Sequence, residues 1–261
     1  MKFKSKRTID GGMIYYKDKP VGKKLLIIVG RDDFKKDDLI MEDLFNVLKE
    51  NEYSIMWYEH IGTSTSRLLT PLAWNNFNFN EYPFLSKCIR SLYKYRIPRR
   101  ICKSLIILWY PRRWGFMRKG FFHKTEQITE RVKYIRIFVK SLGEDKQIVL
   151  LGRSSGGRVA TLVEDEKTVS KIICLGYPFK HPEKDIEIDR VKHLEYMQKP
   201  VLIVQGVRDE YGGADVLQTY PLSPTVSVSL IDTNHNFDMS KQDLKSMALN
   251  IKNFIDSPTL Y

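Results

Sequence analysis

In the string Val149-Leu150-Leu151-Gly152-Arg153-Ser154-Ser155-Gly156-Gly157-Arg158-Val159-Ala160, a serine stands two residues from a glycine on either side. An apolar run precedes it and a small-residue helix start follows. A serine hydroxyl attacks a carbonyl carbon only when it is presented outward and loses its proton as it reacts. A sharp strand-to-helix turn achieves the presentation, and it brings the backbone so close to the adjoining strand that only glycine fits at those two flanking positions. Ser154 is therefore the candidate nucleophile. Average composition alone yields a bare G-x-S-x-G in about one chain in ten of this length, so the partners of Ser154 must decide.

Two residues of the required types lie just after other apolar runs. Asp209 follows Val201–Gln205 in Gly206-Val207-Arg208-Asp209, and His235 follows Val226–Ile231 in Asp232-Thr233-Asn234-His235. In an open parallel sheet the ligand sits beyond the carboxyl ends of the strands, where such positions converge. His235 would take the Ser154 proton, and Asp209 would fix the imidazole tautomer and stabilise the imidazolium. Asp232 is the rival acid; its closeness in sequence to His235 favours Asp209, whose alternative role is a helix cap near Gly212. Tyr177, in the loop Gly176-Tyr177-Pro178-Phe179 after another strand, is expected at the pocket wall. His60 either faces the site or begins the segment after it. His123, His181 and His193 are assigned to a helix start, a loop and an amphipathic helix. No two histidines have metal-ligand spacing, so neither a metal nor a cofactor is expected.

The elements that must carry these residues alternate. Lys24–Gly30 is a continuous apolar run, as a strand buried on both faces requires. Leu39, Leu44, Val47 and Leu48 recur at helical spacing, and Tyr53–Tyr58 reads as the next strand. Ile128, Val132, Ile135 and Val139 share one face of a helix that begins near Glu126. Strands follow at Ile148–Leu151, Lys171–Leu175, Val201–Gln205 and Val226–Ile231, with helical stretches near 188–197 and 213–219 and a closing helix over Asp243–Phe254. This alternation predicts an α/β fold: a mostly parallel, doubly wound sheet with helices on both faces.

Residues 61–124 break the rhythm. The chain's net charge is +12, and this segment holds thirteen Lys or Arg against one acid, Glu81, so the remainder is neutral. Trp74, Phe77, Tyr82, Tyr93, Trp109, Trp114 and Phe121 are among the aromatics interleaved with the cations. We expect residues 1–60 and 125–261 to form the core and 61–124 to form a cap or lid over the carboxyl ends of the strands. Ile101–Tyr110 is strongly apolar but too short to cross a bilayer. Rings beside Lys and Arg suit an anionic membrane surface or an anionic amphiphile, and the same mixture would grip a phosphorylated or acidic glycan. Nucleic acid, attracted by charge alone, ranks last among these partners. The plain alternative is a cap whose aromatics pack a small core of their own. The basic N-terminal stretch lacks an apolar h-region, and Cys88, Cys102 and Cys174 form no C-x-x-C pair, so the expected location is cytoplasmic, with peripheral association at the inner membrane surface.

From Leu150 to Asp238 the strings LGRSSGGRVA, CLGYPFKHPEK, VKHL, KPVLIVQGVRDEYGG and IDTNHNFD carry a family likeness. The chain resembles the dienelactone-hydrolase-like branch of the α/β-hydrolase superfamily, in particular small bacterial hydrolases related to a testis-expressed protein and to a histone acetyltransferase complex subunit. About a third of the chain carries the likeness. The resemblance implies an α/β-hydrolase fold, with the family's catalytic serine, aspartate and histidine on Ser154, Asp209 and His235. It also implies an oxyanion hole made by the N–H after the serine, that of Ser155, and by one after the first strand. There the chain has Val29-Gly30-Arg31-Asp32-Asp33 in place of the family's usual His-Gly, which leaves Arg31 N–H as second donor and Gly30 at the substrate side. Asp32 and Asp33 would oppose an oxyanion unless they point away. Ser155 stands where the family often has methionine, which alters the pocket floor. The expected activity is cleavage of an ester or thioester through an acyl-enzyme, of carboxylesterase, deacylase or thioesterase type, on an acylated, lipid-like or anionic amphiphilic small molecule. The alternative is an inactive interaction module of the same fold that binds a membrane surface or a protein partner through the cap.

Overall fold

Continuous Val/Ile/Leu runs bury both faces of a strand, and such strands form the centre of the sheet. The computed structural model describes residues 4–9, 11–16, 22–30, 46–48, 53–62 and 128–258, with single positions at 95, 97, 98, 101, 104, 108, 111 and 114. Eight strands, β1 (Lys4–Arg7), β2 (Met13–Tyr16), β3 (Lys24–Val29), β4 (Ser54–Glu59), β5 (Gln147–Arg153), β6 (Val169–Leu175), β7 (Val201–Gly206) and β8 (Val226–Ile231), form one sheet. Their order is β1-β2-β4-β3-β5-β6-β7-β8. Neighbours from β4 to β8 pair in parallel, while β1 and β2 pair antiparallel at one edge. The helices whose bounds are described include α1 (Ile128–Ser141), α2 (Ser155–Thr161), α3 (Ile188–Val191), α4 (Val216–Thr219) and α5 (Lys241–Asp256), and a 3-10 turn, Lys192–Tyr196, follows α3.

The two-residue period of each strand divides the core into two layers. Leu25, Ile27, Val29, Ile148, Leu150, Ile172 and Cys174 face α1 and α2 through Ile135, Phe138, Val139, Val159 and Ala160. Leu26, Ile28, Val149, Leu151, Ile173 and Leu175 face α5 through Leu244, Met247, Ile251 and Ile255. Tyr58 of β4 stacks on Phe138 of α1 with ring centroids 4.3 Å apart, which fixes α1 against the sheet.

The strands expected from the apolar runs are present, with ends shifted by one or two residues. The edge pair β1–β2 was not expected. β1, Lys-Ser-Lys-Arg, is exposed along its whole length, so it carries no alternation of buried and exposed positions to read. Its cations also suit an edge, because charged side chains discourage further strand pairing. The stretch expected to be helical near 188–197 divides into α3 and the 3-10 turn, and 213–219 is helical only over Val216–Thr219. Of the helix expected over 39–48, residues 46–48 are described and helical. Arg31 and most of 61–124 lie outside the described residues.

One buried cation ties the sheet to the end of α5. Lys171 of β6 is almost fully buried, and its ammonium donates to the carbonyls of Phe254 (2.7 Å), Ile255 (2.9 Å) and Ser257 and to Ser257 Oγ (3.0 Å). The last carbonyls of a helix have no acceptor role within it, and here a lysine from the sheet satisfies those of α5. Burial pushes the ammonium pKa down, and Asp256 partly opposes that. Lys171→Met keeps the stem and removes the donors. It is expected to lower stability by about 2–4 kcal/mol in urea denaturation, while Lys245→Met on the exposed face of α5 changes it little.

Candidate active site

The turn from β5 into α2 holds Ser154 at φ 50° and ψ −123°, a left-handed-side conformation rare for a non-glycine residue. Such a conformation costs about 1–3 kcal/mol and persists only where the surroundings enforce it. They do so by close approach. A Cβ on Gly152 would lie 2.3 Å from the carbonyl carbon of Gly156, and one on Gly156 would lie 2.7 Å from Val29 O. Ser154 N–H meanwhile donates to Leu175 O of β6 at 2.9 Å, which anchors the turn to the neighbouring strand.

Above this turn the structure brings together the three residues singled out by spacing. Ser154 Oγ lies 3.1 Å from His235 Nε2. On the far side of the ring, Nδ1 lies 3.0 Å and 2.9 Å from the two oxygens of Asp209. An ionised carboxylate only accepts, so Nδ1 carries the proton and Nε2 is left to accept from the serine hydroxyl. The Asp209 side chain is fully buried, whereas His235 keeps a small opening to solvent. Tyr211 packs its ring on the imidazole, with centroids 4.4 Å apart. A hydroxyl, an imidazole and a carboxylate in this chain can move a proton off the hydroxyl as it attacks.

Asp209 would be unstable as a buried charge without further donors, and it has two. Tyr211 N–H donates to Oδ1 at 2.8 Å, and Gln205 Nε2 donates to Oδ2 at 2.9 Å. Gln205 also donates to Gly212 O at 2.6 Å, so one amide holds both the carboxylate and the loop that carries it. Sequence reasoning missed Gln205. A fully buried polar residue near the end of the otherwise apolar strand Val-Leu-Ile-Val-Gln-Gly was the available signal. The loop bearing His235 is held by Arg153, whose guanidinium donates to His235 O at 3.2 Å and lies over the Phe237 ring. Asn234 Oδ1 accepts from the N–H groups of Asn236 and Asp238 and closes the same loop from within. The rival acid Asp232 sits on the surface in an ion pair with Arg208, away from the imidazole.

The remaining expected site residues fall in different places. Ser155 is the first residue of α2, and its hydroxyl accepts from Arg131 at 3.0 Å. Arg131, on α1 and buried, was not foreseen; a cation on an otherwise amphipathic helix reads as solvated until the fold places it under the turn. Gly30 follows β3, and its N–H donates to Tyr58 O at 3.0 Å, so that group serves the sheet. A Cβ there would overlap the Trp57 indole. Arg31 lies outside the described residues. His60 is buried, stacks near Tyr134 and accepts from Gly62 N–H at 3.1 Å, so it shapes the turn after β4. Among the described residues no group of His, Cys, Asp or Glu is arranged to hold a metal ion.

The expectation for Tyr177 is corrected by the structure. Its side chain is fully buried and its hydroxyl donates to Arg190 O at 2.9 Å, so the ring turns into the core behind α2. Position after a strand was read correctly; packing against Phe179, at 4.9 Å between centroids, decides where the side chain goes. There it adjoins His193, whose Nε2 is 2.8 Å from Thr161 Oγ1 and 3.4 Å from Tyr177 Oη. Both hydroxyls send their own protons to carbonyls, Thr161 to Arg158 O at 3.0 Å, so Nε2 carries the ring proton. Burial, with Arg158 adding to it, lowers the His193 pKa from 6.5 to about 4.

Below its ordinary pKa of 6.5 the unfolded chain protonates His193 while the folded protein refuses the proton until about pH 4. Stability therefore falls as pH drops through that window, by up to about 3 kcal/mol from this residue. Urea denaturation of wild type and His193→Gln at neutral pH and near pH 4 measures the contribution. The variant is expected to show the shallower loss; equal losses would assign the acid sensitivity elsewhere.

Comparison with known proteins agrees with this fold. The α/β hydrolase domain family matches residues 117–259, more than half of the chain. No curated protein matches the sequence significantly. Among solved structures, an α/β serine hydrolase without lid from Xanthomonas campestris is 12% identical, with a TM-score of 0.54 over 98% of this chain and 96% of that one. An esterase from Pyrococcus furiosus is 13% identical, with a TM-score of 0.56 over 97% and 92%. A bacterial membrane phospholipase A, described as a virulence factor, is 12% identical, with a TM-score of 0.54 over 98% and 86%. At these identities the structures share the fold, and the family match supplies the classification: the chain belongs to the α/β hydrolase domain family.

Proposed function

We propose that the protein is a serine hydrolase that cleaves an ester or thioester through an acyl-enzyme. The observation that supports this most directly is the unbroken chain from Ser154 Oγ through His235 to the buried Asp209, built on a serine at positive φ. Ser154 Oγ adds to the carbonyl carbon while its proton passes to His235 Nε2. The tetrahedral intermediate then expels the alkoxide or thiolate, which takes that proton. Water repeats the sequence, losing a proton to His235 and releasing the acid and Ser154. Asp209 holds the ring and stabilises its cationic form. In this reading the N–H groups of Ser155 and Arg31 receive the oxyanion. The esterase and phospholipase among the structural neighbours act on esters by their names, which fits this class of reaction. The excess of cations and rings in 61–124 favours an acylated or anionic amphiphilic substrate.

A fluorescent fluorophosphonate tests the reading without knowledge of the substrate. Wild type is expected to label, Ser154→Ala and His235→Ala not to label, and Asp209→Asn to label about a thousandfold or more slowly. A folded wild type that stays unlabelled would instead support the non-catalytic interaction module.

Gln205→Leu preserves volume and deletes one donor to Asp209. Loss of a hydrogen bond to a charged group, about 1.5–3 kcal/mol, predicts labelling about 10- to 100-fold slower. Labelling at the wild-type rate would show that Tyr211 N–H and His235 hold the carboxylate unaided.

A further inference from the structure

Ile97, Pro98, Ile101, Ser104 and Leu108 are helical. Ile97, Ile101, Ser104 and Leu108 follow each other by four, three and four residues. In an α-helix, at 100° per residue, that spacing directs the four side chains within about 60° of one another, to one face. Its apolar members are turned to solvent: Ile97 is 70% exposed, Ile101 55% and Leu108 49%, with Ser104 half-buried between them. Trp114 is also 49% exposed, and its indole N–H donates to Leu108 O at 3.3 Å, which draws the ring to the end of the same stripe. Tyr95 stands exposed just before it.

An apolar stripe of this kind leaves water only for a partner that offers an apolar phase. The charge around it restricts the choice. Between Lys94 and Arg113 the sequence holds Arg96, Arg99, Arg100, Lys103 and Arg112 and no acid. A second copy of the chain would bring the same cations against each other, at a cost in repulsion. Nucleic acid would match the cations and leave the isoleucines, leucine and indole without a partner. An anionic bilayer surface offers both: headgroups for Lys and Arg, and an acyl boundary for the stripe, with Trp and Tyr at the level between. We propose that the 97–114 stripe docks on the interface of an anionic bilayer, with Ile97, Ile101 and Leu108 inserted, Trp114 at the level between, and the flanking cations on the headgroups. Docking of this type requires no spanning segment, and no helix among the described residues is long and apolar enough to be one. The inference is independent of the chemistry at Ser154.

Cosedimentation of the full chain with vesicles tests it, using Ser154→Ala throughout so that no lipid is consumed. Binding to phosphatidylcholine–phosphatidylglycerol vesicles is expected, with weak binding to phosphatidylcholine alone and loss of binding as salt rises. Ile101→Gln with Leu108→Gln leaves the charge unchanged and removes two inserted side chains. It should weaken binding at least about tenfold, since burying one such side chain is worth roughly 1.5–3 kcal/mol. Both positions are exposed, so the melting temperature should stay at the parent value. Wild-type affinity in the double variant would overturn insertion of the stripe. Absence of binding to anionic vesicles would overturn the proposal outright and point to an acidic protein partner. Fluorophosphonate labelling of the Ser154-intact double variant, expected at the wild-type rate, keeps this outcome distinct from that of the hydrolase reading.

Discussion

The close packing of α2 against the ends of β3 and β5 is the constraint on which the candidate site depends. Contact at this distance is open only to residues without a side chain, so Gly152 and Gly156 are fixed by the absence of room. With the helix so near its strand, the link between them has one residue in which to reverse direction. Ser154 therefore takes up a backbone conformation that its side chain disfavours. The energy for this comes from elsewhere in the domain: the bond from Ser154 N–H to β6 and the burial of Val159 and Ala160 under the sheet. A looser core would let the turn relax, and the hydroxyl would no longer meet the imidazole.

The same logic extends to the other two residues. β5, β7 and β8 run parallel, so their carboxyl ends emerge on one side of the sheet and the loops after them converge. Convergence alone would leave Asp209 a buried charge among apolar strands. Three donors, from His235, Tyr211 and Gln205, make its burial tolerable and also fix its direction. The loop of His235 is similarly overdetermined, by Arg153 from the strand that precedes the serine and by Asn234 from within. The residue before the serine thus steadies the loop of the histidine, which couples two parts of the site that are remote in sequence.

What the amino-acid order made legible follows from this division of labour. Long buried strands announce themselves because both faces demand apolar residues, and β3, β5, β6 and β7 were readable for that reason. Ser154, Asp209 and His235 were readable because they follow such runs in a spacing that one turn geometry requires. β1 and β2 were not, since short edge strands with solvated or half-buried side chains have no periodic demand to satisfy. Side-chain direction was also beyond reach. Tyr177 stands after a strand as expected, yet the core behind α2 had room for a ring and a carbonyl for its hydroxyl, and that settled its orientation. Arg131 shows the converse, a charged residue whose helical position reads as surface until the elbow is placed above it. Gln205 lies between these cases, because a polar residue inside an apolar strand always asks for a partner, and only the fold says which.

Charge and chemistry are segregated in this chain, and the segregation bears on how a site of this type could be used. The residues that build the sheet, its helices and the Ser154–His235–Asp209 chain are electrically balanced, so local bonds can set the orientation of His235 without a strong overall field. The excess of cations over acids lies in 61–124, inserted between β4 and α1. Both elements border the elbow: β4 pairs with β3, whose last carbonyl touches Gly156, and α1 carries Arg131 to Ser155. A segment anchored at those two points is covalently tied to the elements that hold the turn. Whatever surface the segment engages, the strain at Ser154 is supported by elements leading directly into it and out of it. On the reading proposed above, the surface in 61–124 can change in sequence without altering the residues that hold Ser154.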